Sequence, residues 1–134
     1  MASYTATDVV TRALKRLAVL SAVETASAED STAGLDTLNL MLHGLNAEGI
    51  AYAHADLAAT DKVNVGDHLV WAVIDRLAER LAPNYGIVPT PLVQAEFNRA
   101  RRALSAGLFT IATATADRAL RGTRAGSYNI DTDA

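Results

Sequence analysis

The stretch GLDTLNLMLHGLNAEGI, residues 34–50, decides the fold. Leu35, Leu38, Leu42 and Leu45 recur at helical spacing and Met41 widens the stripe, so one face of this segment must be buried. Gly49 stands where a left-handed residue would end the helix, and Ile50 follows to pack back on Leu45 in a Schellman-type cap. Upstream, Ser27 and Asp30 offer a capping-box-like start. The spacing therefore predicts a helix from about Ala28 to Glu48, with the remaining helices packed on it.

Working outward, a chain of 134 residues holds one domain with a real core. Half of it is hydrophobic but only 5% is aromatic, so alanine and leucine fill the apolar quota and favour helices. The absence of cysteine excludes a disulfide framework, a thiolate zinc site and a cysteine nucleophile. No run reaches the roughly 18 apolar residues of a membrane helix, and MASYTATDVV lacks the regions of a signal peptide. The expectation is a soluble protein made in a reducing compartment, without membrane contact.

The net charge of −3 hides an asymmetry. Residues 1–98 hold six Lys/Arg against twelve Asp/Glu, whereas residues 99–134 hold six arginines against Asp117, Asp131 and Asp133. An acidic body with a basic tail suggests unlike surfaces meeting between subunits, or an anionic partner for the tail. Solubility alone is the plainer explanation.

Residues 7–17 read as a first helix, capped by Thr7, with Asp8 in its first turn and Arg12, Lys15 and Arg16 toward its negative end. Val10, Leu14 and Leu17 form its apolar face. Between Ile50 and Gly66 the helical rhythm breaks. Ile50, Tyr52 and His54 alternate, as do Val63 and Val65, which fits the two arms of a hairpin or a long projecting loop. Asp67 starts a third helix with the stripe Leu69, Val70, Val73, Ile74, Leu77 and Leu81, and with Asp75, Arg76, Glu79 and Arg80 opposite. Trp71 lies between the faces and is expected to pack against a neighbour. Pro83 ends this helix, and LAPNYGIVPT makes a turn-rich joint containing Tyr85. Thr90 and Pro91 open a fourth helix that runs to about Ala106, with Phe97, Ala100 and Leu104 inward and Gly107 as its stop.

The fold class is thus all-α: a small bundle of four or so helices over residues 1–107, with an extended C-terminal arm at 108–134. In the arm, LFTIATATA alternates threonine with apolar residues, and RGTRAGSYNIDTDA is glycine-rich and polar without a core pattern. Phe109, Ile111, Arg118, Arg121, Arg124, Tyr128 and Ile130 are its candidates for ordering against a partner. Tyr52, His54, Asp56 and Lys62 are the candidates for contacts made by the 50–66 loop.

Catalytic signatures are missing: no GxxxxGK, GxGxxG, GxSxG or HExxH occurs. His54 and Asp56 form an H-x-D, with His43, Asp61 and His68 nearby in sequence, yet they fall on different elements with no recognised ligand spacing. Surface or loop histidines are expected, with no metal and no cofactor. Asp75 and Glu79 share one helix face beside arginines, as on a solvated face.

Three segments carry a family likeness: DVVTRALKRLAV (8–19), GLDTLNLMLHGLNAEGIAY (34–52) and WAVIDRLAERLAPNYGIVPTPLVQAEFNRARRAL (71–104). Together they resemble the head-to-tail adaptor family of tailed bacteriophages, in the version of short-tailed phages known as the tail accessory factor or packaged-DNA stabilisation protein. The leucine-rich helix ending in AEGI and the LAPNYG stop carry most of the likeness, which spans roughly Asp8 to Ser105. The arm matches no quotable family motif.

The resemblance implies a helical virion protein without catalysis, made in the host bacterial cytoplasm and carried in the neck of the particle. It implies a ring, typically of twelve copies, below the portal protein. Such a ring extends the channel for double-stranded DNA, docks a tail or stopper protein and helps retain the packaged genome. The C-terminal arm of such adaptors commonly reaches onto the portal. The alternative reading is a small helical DNA-binding regulatory protein, with Arg99, Arg101 and Arg102 as its phosphate-contacting face; the acidic body speaks against it.

Overall fold

The structure is a computed structural model and describes residues 4–50 and 52–108. Four α-helices follow one another: α1 (Ala6–Arg16), α2 (Ala28–Gly44), α3 (Val70–Leu81) and α4 (Pro91–Leu108), with 3-10 turns at Asp67–Leu69 and Ala82–Tyr85. Among the described residues there is no strand, only an isolated bridge between Thr5 and Lys62. The all-α bundle expected from the sequence is what forms.

The cap of α1 sits two residues earlier than expected. Thr5 accepts from the Asp8 amide at 3.2 Å while its own amide donates to the Asp8 carboxylate at 3.1 Å, a complete capping box. Bonds donated to the Asp8 carboxylate by the Thr5 amide and then by the Thr5 hydroxyl, at 2.9 Å, hold that carboxyl below its ordinary value. Thr7 is left to face the loop. At its other end α1 closes with Ala18 at φ 59, so alanine holds the left-handed position that glycine usually takes.

The close of α2 follows the expected motif. The regular helix ends at Gly44, the chain turns on, and the Ile50 amide donates to the Leu45 carbonyl at 3.0 Å and that of Gly49 to Asn46 at 3.2 Å. With Gly49 at φ 84 and Ile50 buried, this is the Schellman pattern. Leu38, Met41, Leu42 and Leu45 are buried, Leu35 partly, and Leu40 stands out at 70% exposure. Gly34 lets α1 come close, because a Cβ there would collide with Cγ1 of Val10.

The expectation that the helices pack on α2 is met by α1 and α3 but not by α4. The hub is α3, which touches α1, α2 and α4, whereas α2 reaches only α1 and α3. The reason is the width of its buried arc. Ala72 and Ala78 join Val70, Val73, Leu77 and Leu81 inside, and these small residues let neighbours approach on two sides. Arg76 belongs to that arc too, at 7% exposure, so it does not lie on a solvated face as expected. Trp71 is 41% exposed rather than packed away.

From α4, Phe97, Ala100 and Leu104 complete the core as expected. The helix continues through Gly107 to Leu108 instead of stopping. Gly107 serves packing, since a Cβ there would lie 2.6 Å from Leu69 Cδ1.

Candidate functional site

Residues 52–66 form a loop, not a hairpin, tied at its start by the Tyr52 amide donating to Asn46 Oδ1 at 3.0 Å and again at residues 59–63. The amides of Ala6 and Thr7 donate to the carbonyls of Asp61 (2.8 Å) and Ala59 (3.1 Å), and the Val63 amide donates to Tyr4. The Thr7 hydroxyl adds a 2.6 Å bond to the Ala59 carbonyl. Val63 and Val65 are buried beneath this seam. Midway, Asn39 of α2 clasps Leu57 at two points: its Oδ1 accepts from the Leu57 amide at 2.9 Å and its Nδ2 donates to the Leu57 carbonyl at 3.1 Å.

That clasp organises a cluster. With Asn39 Oδ1 fixed as an acceptor, His54 Nε2, 3.1 Å away, must carry the hydrogen. His43, at the end of α2, approaches Asp56 at 2.7 Å through Nε2. The two imidazoles meet edge to face with centroids 4.5 Å apart, and Tyr52 stacks on His54 at 5.9 Å. Burial, then the neighbouring His43, push the His54 pKa down, partly countered by Asp56. One ligating atom each from His43, His54 and Asp56 lies within 4.8 Å of the others.

Sequence spacing gave no hint of this convergence, because a chain reversal at Gly49 and the Asn39 clasp create it. Asp61 and His68 do not join. Asp61 accepts from the Ala58 amide within the loop at 2.8 Å, and His68 folds against Gly66. Of the expected loop contacts, Tyr52 is a core residue at 6% exposure, since its ring fills the space beside α2, so it offers no free surface in this chain. Its hydroxyl is buried with no partner among the described residues, and burial raises its pKa. Asp56 and Lys62 are exposed, and His54 is half-buried.

On the opposite side, charges are used internally. Arg76 donates to Glu48 at 2.5 Å and to Glu79 at 3.0 Å. Glu79 also receives Arg101 through two nitrogens, and Gln94 at 3.2 Å. Arg16 of α1 bridges Asp75, at 3.1 Å, and Glu96. This network binds α1, the end of α2 and α4 to α3. It also occupies the proposed phosphate-contacting face, because Arg101 is held by Glu79 and Arg99 lies over the Trp71 ring at 5.7 Å. Only Arg102 of that trio makes no ion pair or ring contact among the described residues.

Phe109, Ile111, Arg118, Arg121, Arg124, Tyr128 and Ile130 lie outside the described residues. Among those described, no helix is long and apolar enough to cross a membrane.

A helical bundle whose charges knit its own helices together, with AEGI and LAPNYG closing α2 and α3, is the setting in which the comparison with known families is decisive. The family model described as the P22 tail accessory factor matches residues 1–130. The chain belongs to that family. No curated protein matches it individually. As a member of the tail accessory factor family it is a structural component of the phage particle, acts at the tail or neck, and associates with other virion proteins. The match takes in most of residues 108–134 as well as the helices, further than the likeness quoted from Asp8 to Ser105.

Proposed function

We propose that this tail accessory factor is a head-to-tail adaptor: twelve copies form a ring beneath the portal protein, extend the DNA channel, dock the tail or stopper protein below and help hold the packaged genome. The observation that carries the reading is the family match running unbroken through bundle and arm. Two features of the bundle support it. Leu40 on α2, and Val88 with Leu92 around the start of α4, stand well exposed, and a head-to-tail ring needs two different faces per subunit. Asp75, Arg76, Glu79, Glu96 and Arg101 of α3 and α4 are paired within the chain, which suits passage of DNA without sequence-specific grip.

In this reading the arm, through Phe109, Ile111, Tyr128 and Ile130 with Arg118, Arg121 and Arg124, orders on the portal and gives assembly its direction. His54, Asp56 and Lys62 of the loop face a neighbouring subunit, the tail or the channel. The reaction class is none: the role is architectural.

The test is electron microscopy of the full chain mixed with the portal of the same phage. Twelvefold rings seated on the portal are expected, and Phe109→Asp with Ile111→Asp should abolish seating while the bundle stays folded. Rings that load equally well with the altered arm overturn the arm's role. A chain that never joins the portal overturns the adaptor itself.

A further inference from the structure

We propose that His43, His54 and Asp56 form a binding site for one borderline transition-metal ion, Zn²⁺ being the natural occupant, which fastens the 50–66 loop to the end of α2. One potential ligand atom of each residue already lies within 4.8 Å of the others. A tetrahedral ion with bonds of about 2.0–2.1 Å needs ligand atoms about 3.3 Å apart. His43 Nε2 and Asp56 Oδ1, now 2.7 Å apart, must open slightly, and the remaining spans must close. Asp56 is 81% exposed and His43 49%, so both side chains can rotate and solvent gives the ion an entry path.

The surroundings favour ligation over chance proximity. Asn39, locked by its two bonds to Leu57, accepts the Nε2 hydrogen of His54 and leaves Nδ1 with its lone pair. A ligating imidazole whose other nitrogen donates to a carbonyl is the usual outer arrangement of a zinc site. Tyr52 stacks on the same ring and holds its plane. Two imidazoles and one carboxylate select zinc, cobalt or nickel over magnesium and calcium, which prefer oxygen donors. Three protein ligands leave a fourth position for water or for a donor from another molecule.

The test uses the full chain, stripped with chelator and titrated with Zn²⁺ by calorimetry and with Co²⁺ by visible absorption. One ion per chain, a tetrahedral Co²⁺ band and a Tm that rises with Zn²⁺ are expected. His43→Ala and Asp56→Asn should each weaken binding at least tenfold and remove the band, with helical circular dichroism unchanged because both side chains sit at the surface. Asn39→Ala should weaken it by a smaller factor. Asp36→Asn, on the same rim of α2, should bind as the parent does. Binding that survives His43→Ala and Asp56→Asn, or that is lost only in His68→Ala, assigns the ion to an adventitious surface histidine and overturns the site. Absence of both a Co²⁺ band and a Tm shift also overturns it.

Discussion

On the α3–α4 side, Arg76 is 7% exposed and meets two carboxylates; on the α2 rim, the paired His43 and Asp56 are 49% and 81% exposed. Both are polar clusters built by residues distant in sequence, yet burial separates their roles. Where charges are taken from water, each must find a partner, and the cluster becomes part of what holds the helices together. Where polar groups stay at the surface, nothing in folding requires them to meet, and their gathering is available for binding. The Asn39 clasp stands between the two regimes: half-buried and fully bonded, it fixes the loop that carries His54.

The largest test of this contrast is Arg76→Ala. It empties the space of a buried guanidinium and takes one partner from Glu79 and from the more exposed Glu48, and should cost about 3 kcal/mol in urea unfolding. Alanine at His43, on the rim, should cost under about 0.5 kcal/mol. Equal losses would erase the distinction. Next, Gly34→Ala drives a methyl into Val10 at the α1–α2 crossing and should cost about 2 kcal/mol, unless the helices can part. Asn39→Ala should cost about 1 kcal/mol, since it frees both polar groups of Leu57. Its mark would be faster amide exchange confined to the loop, and uniform exchange across the bundle would deny the clasp a local role.

The smallest effects are in the pH response. Burial raises the Glu79 carboxyl, but bonds from Arg101, Gln94 and Arg76 outweigh it and leave the pKa below the ordinary 4.5. Its stabilisation is therefore present above 4.5 and fades as pH falls below that value. Asp75, one turn away, shifts upward because burial outweighs its bond to Arg16. Its contribution declines as pH rises from 3.8 toward the raised folded value. Glu79→Gln should flatten the acid loss of stability, and Asp75→Asn should steepen it. On the rim, His54 is depressed from 6.5 by burial and by His43, so its contribution is whole above 6.5 and is lost as pH falls toward the lower folded value. His54→Gln should remove a stability change in that window while leaving the one near 4.5. A single shared transition would show that the two clusters are coupled.

How far the sequence reaches can be read from α2 and α3. Apolar spacing and local chemistry placed all four helices, and Gly49 with Ile50 foretold the close of α2, because caps and stripes involve residues within a few positions of each other. The same logic named Phe97, Ala100 and Leu104. Sequence alone does not separate Thr5 from Thr7 as the cap of α1, as both are cap-forming residues and only the loop's claim on Thr7 decides between them. Family membership was legible too, from those same stripes and stops, and the family match over residues 1–130 bears it out.

Three things were decided by tertiary structure alone. The hub is α3 and not α2, because alanines that look neutral in a stripe become contacts once two neighbours close on them. Arg76, Asp75 and Glu79 read as a solvated face, since a charged residue announces its charge and not its partner; Arg16 and Arg101 are supplied from other helices and Glu48 from the turn after α2. And His43, His54 and Asp56 converge only because the chain reverses at Gly49 and Asn39 ties the returning loop to α2. Periodicity reports which way a side chain faces along its own element. Which atoms it meets depends on how the elements cross, and that is set by packing over the whole core.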